Sequence, residues 1–226
     1  MNILVTGASK GIGAELAKLA SREHYVFAIA RDDLKLQELK KHNPSIHVFV
    51  FDLEKGNFSQ LAAEVKSKLG TIDIVINNAG MLLNKPFLEI TERELQQVYN
   101  VNVFGVFKLT QNLLPLFSSS NSHIVNISSM GGFQGSAKFS GLSAYSSSKG
   151  ALSILTECLA EELKENKIAV NCLCLGAVQT EMLSNAFPGY KAPVTPLKMA
   201  EYILNFALTG QHYFNGKILP VSLSTP

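Results

Sequence analysis

Apolar and polar positions alternate along the chain in a regular order. Short apolar runs occur near residues 2–6, 25–29, 46–51, 72–76, 122–127, 168–174 and 217–221. Apolar runs of this length predict strands, and apolar residues at helical spacing predict helices between most of them. Strands that alternate with helices form βαβ units, so the pattern predicts a parallel sheet.

The composition of single runs indicates how this sheet is covered. Residues 72–76 and 124–127 are mostly apolar without a clean polar face, which is typical of strands packed between two layers of helices. We therefore predict an α/β fold, a Rossmann-like, doubly wound, seven-stranded and mainly parallel sheet with helices on both faces. A chain of 226 residues is long enough for one such domain over 1–226 and too short for two ordinary domains with linkers.

Two segments predict long helices. The stretch 145–166 has leucines at steps of three, four and four, which predicts one amphipathic helix. The stretch 101–117 is apolar around more of its circumference than one contact with the sheet requires, so it is expected to bury a subunit interface as well. Residues 131–148, rich in glycine and serine, are predicted to be a loop that leads into the long helix. Residues 177–200 contain three prolines and are expected to be a short substrate loop.

The charge and cysteine content exclude several classes of function. With 20 Lys+Arg and 18 Asp+Glu the formal net charge is +2, which offers no extended basic surface for nucleic acid or for an anionic membrane. No apolar run approaches the roughly 20 residues of a membrane span, and the chain begins with a strand-like run and no basic leader. Cys158, Cys172 and Cys174 are not spaced like zinc ligands. We expect reduced thiols, a cytoplasmic location and no metal.

A glycine-rich turn follows the first predicted strand, and helical sequence follows the turn at once. The turn is Thr6-Gly7-Ala8-Ser9-Lys10-Gly11-Ile12-Gly13. Glycines allow the backbone to approach a pyrophosphate closely, and a helix N-terminus supplies free N–H groups and partial positive charge. The sequence therefore predicts dinucleotide binding by Gly7, Ser9, Lys10, Gly11, Ile12 and Gly13. The alternative is that these glycines only close a tight turn.

The end of the second predicted strand bears on the choice of cofactor. In dinucleotide-binding folds an acidic residue at this place accepts hydrogen bonds from the 2′-hydroxyl of NAD. Here Ala30 takes that place and Arg31 follows, so Arg31, with Lys10, is expected to bind the 2′-phosphate of NADP(H). Asp32, one residue further on, keeps NAD(H) possible, and solvated surface charge is the alternative for either cation. Asp52 and Leu53 are candidate contacts of the adenine, or Asp52 merely begins a loop.

Tyr145 and Lys149 have the spacing of neighbours on one face of a helix. A phenol has a pKa of about 10 and is a poor acid or base at neutral pH. A lysine charge about 4 Å away, at an effective dielectric of about 20, contributes roughly 4 kcal/mol, or some three pKa units. The pair is therefore a candidate acid–base catalyst. A core aromatic and a surface lysine at this spacing are the commoner alternative.

Several motifs occur together and in order: the Thr6 to Gly13 turn, Asn77-Asn78-Ala79-Gly80, Asn102, Ser128-Ser129, and Tyr145 with Lys149. On these motifs the chain resembles the short-chain dehydrogenase/reductase family over essentially its whole length. The resemblance implies that Ser129 holds the substrate oxygen and that Asn102 supports a water relay behind Lys149. It also implies that Lys149 binds ribose hydroxyls. Further cofactor contacts implied by the resemblance are Asn78, Ala79 and Gly80 at the ribose, and Val178 and Thr180 at the carboxamide.

The resemblance also implies the activity. It suggests an NADPH-dependent carbonyl reductase or alcohol dehydrogenase that acts on a small carbonyl or alcohol, as a homodimer or homotetramer through the helices at 101–117 and 145–166. Two alternatives are a catalytically silent NADP(H)-binding sensor or scaffold of the same fold and an enzyme of nucleotide sugars, for which the substrate region leaves little room.

The sequence departs from the family pattern in three regions. Leu175-Gly176 replaces the usual Pro-Gly, and the C-terminus lacks the common acidic, glycine-rich tail that makes oligomer contacts in the family. The gap between Ser129 and Tyr145 is long, and its residues Phe133, Gln134, Lys138 and Phe139 are a candidate substrate wall. With Met182, Leu183, Phe187 and Tyr190 in the substrate loop, the composition favours an apolar or aromatic carbonyl compound.

Overall fold

Strands and helices alternate through the described residues, 1–118 and 121–223, of the computed structural model. The strands are β1 (Asn2–Thr6), β2 (Tyr25–Ala30), β3 (Ile46–Val50), β4 (Ile74–Asn77), β5 (Ser122–Ser129), β6 (Ile168–Leu175) and β7 (Ile218–Val221). The α-helices are α1 (Gly11–Ala20), α2 (Asp33–His42), α3 (Phe58–Leu69), α4 (Glu92–Tyr99), α5 (Gly105–Leu113), α6 (Ser143–Glu162), α7 (Glu181–Ala186) and α8 (Pro196–Thr209). All seven predicted strands are confirmed.

The strands form one sheet in the order β3-β2-β1-β4-β5-β6-β7. Every neighbouring pair in this sheet is parallel. The predicted Rossmann-like, seven-stranded architecture is confirmed, and the sheet is parallel throughout rather than mainly parallel. Strand order reverses between β1 and β4, so the loops after these strands diverge and leave a crevice at their carboxyl ends.

Both faces of the sheet are covered, as the apolar runs predicted. Adjacent residues of β1 point to opposite faces: Val5 packs in a core with Leu16 of α1, whereas Leu4 packs in a second core with Leu109 of α5. Leu4 and Val5 are fully buried. A strand with two apolar faces is therefore stable only between two layers of helices.

The two long helical segments differ in part from their prediction. Helix α6 begins at Ser143, so the predicted loop over 131–148 is wrong at its end. Serines are compatible with this first turn because Ser147 and Ser148 donate to the carbonyls of Ala144 and Tyr145. The segment 101–117 is interrupted: a π-helical turn spans Asn100–Phe104, α5 follows, and a 3-10 turn over Leu114–Leu116 contains a proline that cannot donate a helical hydrogen bond.

The predicted substrate loop at 177–200 contains the short helix α7 and the first turns of α8. An isolated parallel bridge between Val178 and Val194 closes the loop at its base. Within the described ranges no helix is both long and apolar enough to cross a membrane. The described residues also contain no group of three or more His, Cys, Asp or Glu side chains that could hold a metal ion.

Candidate active site

A cavity of about 720 Å³ lies at the carboxyl ends of the central strands. The glycine turn after β1 forms one end, and Ser129 and Tyr145 form the other. Ligands of open parallel sheets bind at this edge, where strand order reverses. The cavity therefore joins the predicted phosphate cradle to the predicted acid–base pair in one continuous space.

The glycine turn requires its glycines on steric grounds. Gly7 has a φ of +69°, and a Cβ there would lie 2.9 Å from the Cα of Ala79. A Cβ on Gly13 would overlap the carbonyl oxygen of Gly7. Gly11 has room for a Cβ beside Thr180, but its φ of +58° lies in the left-handed region that favours glycine. Ser9, Lys10, Gly11 and Ile12 line the cavity with Gly7, whereas the predicted contact Gly13 is buried in α1 and is not a lining residue. A turn packed this tightly at the start of α1 fits a pyrophosphate.

The loop after β4 is tied to the glycine turn. The Ala79 N–H donates to Thr6 Oγ1 at 2.8 Å, and Asn78 Nδ2 donates to the Thr6 carbonyl at 3.0 Å. Ala79 and Gly80 line the cavity with Asn78. The Asn78 amide thus holds the two loops together, a role that the sequence did not indicate.

The structure separates the roles of Arg31 and Asp32. Asp32 is the N-cap of α2, and its Oδ1 accepts from the Lys35 N–H at 3.1 Å, so this carboxylate already has a structural partner. Arg31 is exposed and lines the cavity directly after β2. Asp52 also serves its own loop, since its Oδ1 accepts from the Glu54 N–H at 2.8 Å. Asp52 and Leu53 nevertheless line the same end of the cavity.

The start of α7 contacts the glycine turn. Lys10 Nζ lies 2.6 Å from Glu181 Oε1, a contact that sequence reasoning missed. Thr180 caps α7, with its Oγ1 accepting from the Leu183 N–H at 3.2 Å. Both Val178 and Thr180 line the cavity. Lys10 is thus paired with a carboxylate that also faces the cavity.

Tyr145, Ser129 and Lys149 come together at the opposite end. Ser129 lies close enough to the Tyr145 hydroxyl to lower the pKa of the phenol, and Lys149 Nζ lies 5.9 Å from the centroid of the Tyr145 ring. Gly132 makes this approach possible, because a Cβ there would lie 2.6 Å from the Gly150 nitrogen in α6. The Ser129-x-x-Gly132 spacing therefore sets the serine against the phenol.

The electrostatics of this group differ from the expectation. Burial raises the pKa of Tyr145 above its ordinary value, and the hydrogen bond with Ser129 only partly opposes this shift. Burial also lowers the pKa of Lys149 to about 8, and its Nζ donates to the Ile127 carbonyl at 2.8 Å. The expectation that Lys149 lowers the pKa of the phenol is wrong in this geometry, because burial dominates the shift and the lysine is not among its causes. Tyr145 is therefore protonated at neutral pH and can donate to a carbonyl oxygen.

Asn102 and Ser128 hold the catalytic group from behind the cavity lining. Asn102 is fully buried in the π-helical turn; its Oδ1 accepts from the Met81 N–H at 2.8 Å and its Nδ2 donates to Ser148 Oγ at 2.9 Å. Ser128 Oγ donates to the Lys149 carbonyl at 2.9 Å. Both side chains position α6, and the water relay implied for Asn102 stays a prediction.

The substrate end of the cavity is apolar. Its walls include Met81, Leu82, Phe139, Leu142, Met182, Leu183, Phe187 and Tyr190. Of the four predicted wall residues in the long gap, only Phe139 lines the cavity; Lys138 bonds the Phe133 carbonyl instead, at 2.7 Å. Asn84, which the sequence did not single out, donates to the Ala186 carbonyl at 2.8 Å and so holds the end of α7 over this pocket.

Comparison with known proteins gives a consistent result. The family model for short chain dehydrogenases matches residues 1–191. Carbonyl reductase (NADPH) 2 of Sus scrofa is 35% identical over 185 residues, which cover 80% of this chain and 73% of that protein. NADPH-dependent pterin aldehyde reductase of Arabidopsis thaliana is 34% identical over 215 residues, 90% of this chain and 87% of that protein.

Solved structures resemble the whole fold as well. A short chain dehydrogenase of Shigella flexneri, solved in complex with NADP, superimposes with a TM-score of 0.89 at 31% identity. The match covers 97% of this chain and 95% of that one. A second, from Escherichia coli and in complex with NADPH, gives a TM-score of 0.87 at 30% identity, over 97% of this chain and 95% of that one.

Proposed function

The chain belongs to the short chain dehydrogenase family, and from this premise we propose that it is an NADPH-dependent reductase of apolar or aromatic aldehydes and ketones. The family acts as oxidoreductases on alcohol and carbonyl groups. The observation that carries the finer proposal is the meeting of a protonated Tyr145, Ser129 and an apolar pocket in one cavity with the glycine turn.

NADPH is the proposed cofactor because of the charges at the adenosine end. Arg31 follows β2 at the cavity wall, whereas the nearby Asp32 is occupied as a helix cap. An arginine donates two parallel hydrogen bonds to a phosphate, and Lys10 adds a second cation. Relatives named for NADPH, and structures solved with NADP or NADPH, support the same choice.

The proposed chemistry assigns one task to each polar group at the other end. The nicotinamide supplies the hydride when bound. Ser129 donates a hydrogen bond to the substrate oxygen and stabilises the negative charge that develops there. Tyr145 transfers its proton to that oxygen, because its raised pKa keeps it protonated at neutral pH. Lys149, buried beside Tyr145, binds ribose hydroxyls and orients the cofactor.

The substrate class follows from the walls of the pocket. The eight wall side chains named above are uncharged, and seven of them are apolar or carry an aromatic ring without a hydroxyl. Apolar walls favour apolar surface and disfavour an unpaired charge. We therefore place neutral aromatic and aliphatic carbonyl compounds ahead of sugars and carboxylated substrates.

Assembly and location complete the proposal. Phe104, Phe107 and Ile154 are 43%, 44% and 61% exposed on the segments predicted to form a subunit interface. Exposed apolar side chains in one region are typical of such interfaces. The proposed enzyme is a homo-oligomer through these segments, built from one domain per chain with its substrate loop at 177–200, and works in the cytoplasm without nucleic-acid or membrane partners.

The test is a matched substrate panel with both cofactors. The purified chain is assayed with p-methylbenzaldehyde and p-carboxybenzaldehyde, each with NADPH and with NADH. We expect kcat/KM to favour the methyl compound by about tenfold or more, since the carboxylate would be desolvated against apolar walls, and to favour NADPH over NADH. Preference for the carboxylated compound would refute the substrate class. Absence of turnover with NADPH bound would favour a silent sensor or scaffold.

A further inference from the structure

An ion pair joins the glycine turn to the substrate loop at the edge of the cavity. Lys10 Nζ and Glu181 Oε1 lie 2.6 Å apart, although the residues are 171 positions apart in the chain. Their side chains are 50% and 55% exposed, and both residues line the cavity. The pair is therefore open to exchange with a soluble anion.

We propose that Glu181 is a cofactor-specificity residue whose carboxylate competes with the 2′-phosphate of NADPH for Lys10. The inference rests on the proposed function, in which Lys10 and Arg31 bind that phosphate. It goes further by assigning a role against NADPH binding to a residue of the substrate loop.

Lys10 is free to change partners. It is the N-cap of α1, with extended backbone and no side-chain hydrogen bond to its own helix. Its ammonium is a point charge on a flexible stem, which can pair with either a carboxylate or a phosphate oxygen. Glu181 is thus an internal substitute for the phosphate that the cofactor would bring.

The backbone that carries Glu181 is held from the other side. It follows Thr180, the N-cap of α7, and the preceding Gln179 N–H donates to the Val194 carbonyl at 2.8 Å. Hydrogen bonding to Lys10 lowers the pKa of Glu181, so the carboxylate is charged at neutral pH. This anion lies within electrostatic range of Lys10 and Lys35 and so opposes the entry of further negative charge.

The competition is specific because the other nearby carboxylate has a different partner. Asp32 accepts from the Lys35 N–H as the cap of α2, whereas Glu181 is the residue paired with Lys10. Removing the Glu181 charge frees Lys10 without altering Arg31. We expect NADPH to bind about twofold to fivefold more tightly, a change on the scale of a single exposed ion pair.

Isothermal titration calorimetry with NADPH and with NADH tests this directly, because it measures binding and not turnover. The proteins are the wild type, Glu181→Gln, Lys10→Gln and the double variant. Glu15→Gln, which breaks a comparable ion pair with Lys18 on α1 outside the cavity lining, is the control. We expect Glu181→Gln to lower the Kd for NADPH about twofold to fivefold, to change the Kd for NADH little, and to have no effect in the Lys10→Gln background.

Three results would overturn the inference: an unchanged or weaker affinity of Glu181→Gln for NADPH, equal tightening for both cofactors, or tightening that persists without Lys10. These results leave the proposed function intact, provided the wild type binds NADPH. Failure of the wild type to bind NADPH in the first titration would refute the proposed cofactor, and the inference with it.

Discussion

Replacing Lys149 with methionine is expected to stabilise the folded chain while removing its activity. Lys149 is 4% exposed, and burial lowers its pKa from 10.5 to about 8. One pKa unit corresponds to about 1.36 kcal/mol, so holding the charged amine in the folded protein costs roughly 3 kcal/mol. Methionine fills similar space without the charge, and the lost hydrogen bond to the Ile127 carbonyl offsets about 1 kcal/mol. The free energy of unfolding of Lys149→Met should therefore exceed that of the wild type by about 2 kcal/mol at pH 7.

The pKa shift of Lys149 determines how the free energy of unfolding changes with pH. Between about pH 8 and pH 10.5 the unfolded chain binds more protons at Lys149 than the folded chain does, so wild-type stability rises with pH across this window. Below pH 8 the cost is present in full. The advantage of Lys149→Met should therefore be largest at pH 7 and mostly gone near pH 10.5.

Urea unfolding followed by circular dichroism at pH 7 and pH 10 measures both effects. The exposed Lys66 of α3 supplies the control variant Lys66→Met, which should match the wild type. A gain of about 2 kcal/mol corresponds to roughly 4–8 °C in Tm for a chain of this size. Lys149→Met that is no more stable than the wild type at pH 7 would show that the buried amine carries no such cost.

Two further predictions concern the cofactor and acid stability. Arg31→Asp should weaken NADPH binding and shift the preference toward NADH, because a carboxylate at the end of β2 repels the 2′-phosphate; an unchanged Kd ratio would place that phosphate elsewhere. His123 is fully buried, and burial lowers its pKa to about 4. Between about pH 6.5 and pH 4 the unfolded chain therefore binds a proton at His123 that the folded chain does not. The free energy of unfolding falls by roughly 3 kcal/mol as the pH drops through that window. Urea unfolding at pH 7 and pH 4.5 should show a smaller loss for His123→Gln than for the wild type, and equal losses would contradict the assignment.

The sheet and the order of the site motifs could be predicted from local sequence. A strand that is apolar on both faces, such as the one containing Leu4 and Val5, is stable only when helices cover both faces. Runs of this kind therefore identified the fold. The capping role of Asp32 could also be predicted. An aspartate at the start of an amphipathic stretch is a helix-start signal, because its carboxylate accepts from the N–H three residues later, here that of Lys35. Because this signal assigns Asp32 to the helix cap, the sequence alone favours Arg31 over Asp32 as the residue that contacts the cofactor.

The contacts that shape the site from a distance could not be predicted. The partner of Lys10 is 171 positions away and that of Asn84 is 102 positions away, and neither pair leaves a local pattern. The π-helical turn that buries Asn102 has no signature in composition. Burial of the phenol raises the pKa of Tyr145, and helical spacing carries no information on burial, so spacing alone gave the wrong sign for this pKa.

The central claim is that the Tyr145 hydroxyl delivers the proton in carbonyl reduction, and Tyr145→Phe tests it most directly. Single-turnover reduction of p-methylbenzaldehyde is measured beside the Kd for NADPH, with Tyr190→Phe, another tyrosine of the cavity wall, as the matched control. Loss of a general acid should slow turnover by about 10²–10⁴-fold, while the Kd for NADPH stays within about twofold and Tyr190→Phe remains active. Turnover of Tyr145→Phe at more than about a tenth of the wild-type rate would contradict the account.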